Sequence, residues 1–203
     1  MKFGSFFLYC LILLFIPFAS EAQDTLIFIN GKKEVGSNVK VADTQVHYNP
    51  VSKPHHVKKV EVYNVFAIRH SNGNETIVYS QDTLVDDLSL EQMRMFVRGQ
   101  QDARQYFNAI PVTITSAVIG VGSGVAFQFF GLIPPAVFAT LVGASSPRME
   151  RQPVPQRELL ESPEYKMGYE AKARNIKIKR ALIYGIGGAI VGYAGLKVVK
   201  AND

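Results

Sequence analysis

The residues best suited to chemistry are four histidines: His47, His55, His56 and His70. All lie between residues 24 and 82. A metal centre needs several such ligands converging on one point. His55 and His56 are adjacent in a proline-flanked loop, and neighbours in an extended chain point apart. The spacing predicts solvated loop and strand histidines and no metal site. Convergence of Asp43, His47 and His70 in one pocket would be needed for an acid–base site. Asp102 and Arg104 have no second constellation around them. Gly120-Val-Gly-Ser-Gly124 has the glycine content of a phosphate-binding loop. It matches neither the dinucleotide nor the P-loop pattern, because no Lys-Ser/Thr follows. Helix packing is the better account of those glycines. Asn74-Glu75-Thr76 has the form of a glycosylation acceptor. No catalytic residue, cofactor or metal ligand set emerges, and an enzyme is not expected.

The elements that would position any site follow from composition. The chain has 203 residues, 47% apolar and 19% charged, with a net charge of +5. That apolar content excludes global disorder, and the single cysteine, Cys10, excludes a disulfide scaffold. Mean hydropathy is +0.07, a value that averages unlike segments. Lys2 followed by an apolar run from Phe6 to Phe18 and by small residues at Ser20 and Ala22 reads as a signal peptide over 1–22. The mature chain is then exported and free of cysteine.

Residues 23–82 read as a small exported β domain. Thr25–Asn30, Ser37–Val41, Thr44–Tyr48 and Lys59–Tyr63, the last continued as a strand by Val65–Arg69, are short β-rich runs, and Asn72-Gly73 turns the chain into Glu75–Tyr79. A five-stranded SH3-like barrel is the economical fold. Its seven Lys/Arg and six Asp/Glu leave no basic stripe, so nucleic acid is not an expected partner. Residues 83–109 read as an amphipathic connecting helix, with Ser89 and Gln92 as a capping box. Gly99 weakens its middle by about 1 kcal/mol relative to Ala.

From Gln105 to Pro147, 43 residues carry no charge. Ile110 to about Phe130 is long enough for one membrane span, and Pro134-Pro135 interrupts helix beyond it. The rest of 110–144 is expected to be re-entrant, with a tight hairpin of two short spans as the alternative. A second Gly-rich span runs over 181–199. Gly120 and Gly124, Gly188 and Gly192, and Gly185 with Ala189 have the spacing by which helices pack closely. Between the spans, residues 145–180 hold nine Lys/Arg and five Asp/Glu. Ser162-Pro163 reads as a helix start. Lys172, Arg174, Lys177, Lys179 and Arg180 crowd the approach to the second span, suited to contact with anionic membrane lipids. The positive-inside rule places this segment in the cytoplasm, opposite the exported β domain, with residues 200–203 as a tail.

Several short motifs together carry a family likeness. They are Asp24-Thr-Leu-Ile, the Asn-Gly hairpin, Gly99-Gln-Gln-Asp-Ala-Arg-Gln-Tyr106, Gly131-Leu-Ile-Pro-Pro135, Ser145-Ser-Pro147 and Tyr165-Lys-Met-Gly-Tyr169 with Lys172-Ala-Arg174. The chain resembles a group of uncharacterised Bacteroidota-type envelope membrane proteins, with an exported small β domain and Gly-rich C-terminal spans. The resemblance implies an inner-membrane location and an α+β architecture, and no catalytic residue. The expected function is a tethered module that binds a protein or envelope component. The alternative is an oligomeric pore or homo-oligomer built on the Gly-rich helices.

Overall fold

The structure is a computed structural model that describes residues 23–82, 87–147, 149 and 153–202. The expected signal peptide, Cys10 included, lies outside the described residues. Among the described residues the fold is α+β, with one antiparallel sheet and four α-helices.

The strands are β1 (Asp24–Phe28), β2 (Lys33–Val41), β3 (Gln45–Pro50), β4 (Lys58–Glu61), β5 (Val65–Arg69) and β6 (Glu75–Ile77), in the order β4-β3-β2-β1-β5-β6. β1 and β2 join through a tight turn in which Gly31 has φ of 71° and Asn30 Oδ1 accepts from the Lys32 amide. β2 is bulged between Ser37 and Lys40, with Asn38 at φ of 53°. A three-residue 3-10 turn, Val62–Asn64, carries β4 directly into β5. Such a short connector spans only about 10 Å, while β4 and β5 are separated in the sheet by three strands. The sheet must therefore curl strongly. It remains open among the described residues and has six strands, which corrects the expected closed five-stranded barrel. The sixth strand arises because the 3-10 turn splits the run expected to continue over residues 59–69 into β4 and β5.

Curling gives the sheet an inner face, where Leu26, Phe28, Val46, Tyr48, Val65 and Ile68 form one core. β1 and β5 are buried on both faces. Their other side, Ile27, Phe66 and Ala67, packs under Val97 of α1 (Leu90–Tyr106). Helix α1 starts where its sequence says, with Ser89 and Gln92 forming both arms of the capping box.

Asn108 caps the restart of the chain as α2 (Ile110–Phe127) through a 2.9 Å bond to the Ile110 amide. A 3-10 turn over Gln128–Leu132 reverses the chain into α3 (Ile133–Ala144). Residues 110–144 are thus a hairpin of two short helices, the alternative reading of this segment. Finally α4 (Pro163–Asn202) runs unbroken for 40 residues, about 60 Å at 1.5 Å per residue. Ser162 caps it through the Tyr165 amide.

The halves of α4 have different partners. Its first half packs on α1, with Tyr165, Tyr169, Ala173, Ala103 and Met149 in one core. Its second half packs on α2 and α3. Matched positions run Ser116 to Ala181, Gly120 to Gly185 and Gly124 to Ala189, so α2 and α4 are parallel. Gly143 meets Ile178 while Pro135 meets Gly185, so α3 is antiparallel to α4. The result is a folded head and an apolar three-helix bundle joined by one helix.

That arrangement brings together segments that the expected topology sets apart. The basic segment 157–180 contacts the β domain and α1 directly: Tyr165 Oη donates to Asp102 Oδ2 at 2.9 Å, and Lys172 Nζ donates to the Asn30 carbonyl at 3.2 Å. The hairpin returns the chain to the end of the bundle that it left.

Candidate functional site

The sequence-predicted glycines sit where α2 and α4 touch. A Cβ added to Gly120 would overlap the Gly185 carbonyl oxygen; on Gly124 it would meet the Ala189 carbonyl, and on Gly192 that of Val121. A Cβ added to Gly188 would lie 2.6 Å from the Ala117 carbonyl oxygen, and one on Gly185 would lie 2.7 Å from Pro135 Cβ and 2.8 Å from Ser116 Oγ. Close backbone approach also lets the buried Ser116 hydroxyl donate to the Ala181 carbonyl. Ser123 Oγ reaches the carbonyls of Gly120 and Gly131 at 2.9 and 2.7 Å. These glycines are used within one chain.

The same device recurs in the head, where the sequence showed only a weak helix. A Cβ on Gly99 would overlap the Tyr165 carbonyl oxygen, and one on Gly168 would overlap that of Phe96. Gly99 is there to let α1 and α4 cross at backbone contact.

The five basic residues before the second span divide in two. Lys177 is buried, and its ammonium donates to the Ser145 carbonyl and to Ser145 Oγ. It satisfies a terminal carbonyl just past α3 and carries positive charge to the negative end of that helix. Burial, then the Arg174 charge, lowers its pKa. Arg174 Nη2 lies 3.5 Å from Ser146 Oγ. Lys172 is half-buried, with its pKa lowered by burial and by Arg104 and Lys179. Lys179 and Arg180 line a groove together with Lys172 and Arg104.

The histidines do not converge. His70 closes the β5–β6 hairpin onto the start of β1, with Nδ1 3.0 Å from Asp24 Oδ2 and Nε2 2.9 Å from Thr76 Oγ1. His47 sits in β3 opposite Lys40 and Lys59, and Asp43 lies in the turn before it. Among the described residues no group of three or more His, Cys, Asp or Glu could hold a metal.

Among the cavities that open on the head are two of similar size. The first, about 630 Å³, is lined by Lys32, Glu34, Val35, Lys53, His56 and Lys58 among others. Glu34 organises it, receiving hydrogen bonds from Lys32, Tyr48 and Lys58. Burial would push the Glu34 carboxyl up, but those bonds and the Lys58 charge hold it down at about 2. Burial and the same carboxylate push the Tyr48 phenol up. The second cavity, about 590 Å³, lies between the 3-10 turn and the start of α1. Val62, Val78, Tyr79 and Met93 give it an apolar floor, and Asp43, Glu61 and Asp87 a carboxylate rim, with no cation in the lining among the described residues. Tyr63 stands at its mouth, 74% exposed. Burial and the Asp87 charge push the Tyr79 phenol up, while its hydroxyl donates to the Leu88 carbonyl at 2.6 Å. A mostly exposed tyrosine over an apolar floor inside a polar rim is the anatomy of a binding surface. Sequence reading missed this cavity because its walls come from five separate stretches of chain. Comparison with protein-family models, curated proteins and solved structures finds no match.

Proposed function

We propose that this protein is a membrane-anchored binding module: an exported head that presents the carboxylate-rimmed Tyr63 cavity to a protein or envelope component. The observation that carries the reading is α4, one helix that is part of the head core over its first half and part of an apolar bundle over its second. The bundle is apolar on its outside. Ile114, Val118, Leu141, Ile183 and Ile190 are all at least 60% exposed. Each of the segments Ile110–Ala144 and Pro163–Ala201 contains an 18-residue helical window apolar enough to cross a membrane. An apolar surface of that extent marks contact with lipid or another apolar partner.

The N-terminal signal motif supports export of the head to the outer side of an inner membrane, as does the resemblance to Bacteroidota-type envelope proteins. The basic residues on the head side then serve the fold: Lys172 and Lys177 hold backbone carbonyls. Lys197 and Lys200 mark the cytoplasmic end of α4. The path of β4 through a 3-10 turn into β5, with β5 paired to β1, supports an opened SH3-like barrel carrying one extra strand. Three carboxylates without a lining cation favour a ligand with positive charge or many hydroxyls, and a basic protein segment fits best.

Site-specific photocrosslinking on the full chain in native membranes tests this. A crosslinker at Tyr63 should give a discrete adduct that one at exposed Asn74 does not, and Asp43→Asn with Asp87→Asn should reduce it. Equal labelling at both positions, or release of the protein from membranes by alkaline carbonate, overturns the reading.

A further inference from the structure

The groove at the junction of head and bundle is built for an anion. Arg104 and Phe107 from the end of α1, and Lys172, Asn175, Ile176, Lys179 and Arg180 from α4, enclose about 280 Å³. The α4 residues recur at three-, four- and seven-residue spacing, which places them on one helix face. Four cations converge and the lining contains no carboxylate. Among the described residues, none of the four forms an ion pair with an acid. Like charges gathered without a counter-ion repel, and the Lys172 pKa falls through burial and through Arg104 and Lys179. The position is as informative as the charge. On one wall the chain becomes apolar at Ala109–Ile110, and on the other at Ala181. Phe107 and Ile176 give the groove an apolar side facing that boundary.

We propose that this groove binds the phosphate of an anionic phospholipid headgroup, with Arg104, Lys172, Lys179 and Arg180 as its donors. Arginine forks suit phosphate oxygens geometrically, and Asn175 adds a neutral donor. The apolar side would take the first part of the acyl chains. The inference rests on the membrane reading above, because the lipid is the source of phosphate that this depth selects. Arg104 is the distinguishing residue. It lies on a different element from the basic run before the second span, so a diffuse charge effect of that run would not single it out.

The test uses the full chain in nanodiscs of phosphatidylcholine containing 0 or about 20% phosphatidylglycerol, read by native mass spectrometry of retained lipid. Wild type should retain phosphatidylglycerol selectively. Arg104→Gln and Arg180→Gln should each lower retention about fivefold, the effect of one basic group near an anionic surface. Lys166→Gln, a cation outside the groove, should leave it unchanged. Equal loss in Lys166→Gln and Arg104→Gln, or no selectivity in wild type, overturns the site. Inorganic phosphate at millimolar concentration is the second arm: if it displaces phosphatidylglycerol completely, the ligand is free phosphate and the lipid assignment fails. Failure of the protein to enter nanodiscs at all would instead strike the membrane reading. Circular dichroism of each variant separates lost binding from lost folding.

Discussion

At the scale of single residues, the glycines have two roles that only packing separates. Gly99 and Gly168 each face a backbone carbonyl that cannot move aside. An added methyl normally favours a helix by about 1 kcal/mol, but overpacking against fixed atoms costs about 1–3 kcal/mol. Gly99→Ala should therefore lower the thermal midpoint of the full chain in detergent. Gly187→Ala, with nothing within 4 Å of the new methyl, should leave it unchanged or raise it slightly. Glu34 gives a second residue-level prediction. Its folded pKa of about 2 lies below the ordinary 4.5. The stabilisation is thus fully present above about 4.5 and is lost as pH falls through about 2. Glu34→Gln should weaken the head by about 1.5–3 kcal/mol at neutral pH, the range for hydrogen bonds to a charged group. Because the variant no longer titrates, its deficit against wild type in urea melts should shrink below pH 4.

At the scale of elements, α4 is the part that couples everything else. Its 40 residues carry an acidic and basic first half and a small-residue second half, and no proline interrupts them after Pro163. Ile178→Pro would remove a helix hydrogen bond and clash with the preceding turn, costing about 3 kcal/mol or more. Spin labels on the head and near the end of α4 should then show a broadened distance distribution, against a narrow one in wild type. An unchanged narrow distribution would mean that α1 and α2 hold the two halves without help from α4. Helix α1 is similarly shared, since it covers Phe66 and Ala67 on the outer face of the sheet. Residues 23–82 alone would expose that face, so the folding unit of the head must include α1.

At the scale of the molecule, the decisive feature is that the chain enters the apolar bundle, turns over residues 128–132 and comes back. Thiol labelling of Ser80→Cys, Glu161→Cys and Lys200→Cys in intact cells tests this. Positions 80 and 161 should be modified from the same side and position 200 from the other. Modification of 80 and 161 from opposite sides would restore the single-span topology. The hairpin was the second of two readings open to the sequence, and charge favoured the single span. The positive-inside rule weighs Lys172 to Arg180 as free charge, whereas Lys172 and Lys177 are engaged with backbone carbonyls in the fold.

Local pattern alone determined much of this protein. Ser89 and Gln92 set the start of α1, Ser162-Pro163 set the start of α4, and Asn72-Gly73 set the last hairpin, because caps and turns depend on a few neighbouring residues. The 43 uncharged residues and the small-residue spacing located the bundle for the same reason. Only the tertiary structure decided that β5 pairs with β1, that Gly99 meets Tyr165, that Arg104 joins the basic run of α4, and that the basic segment packs against the head. Each of these is a meeting of segments distant in sequence. Their geometry is set by packing two faces together, and no periodicity within either segment encodes it.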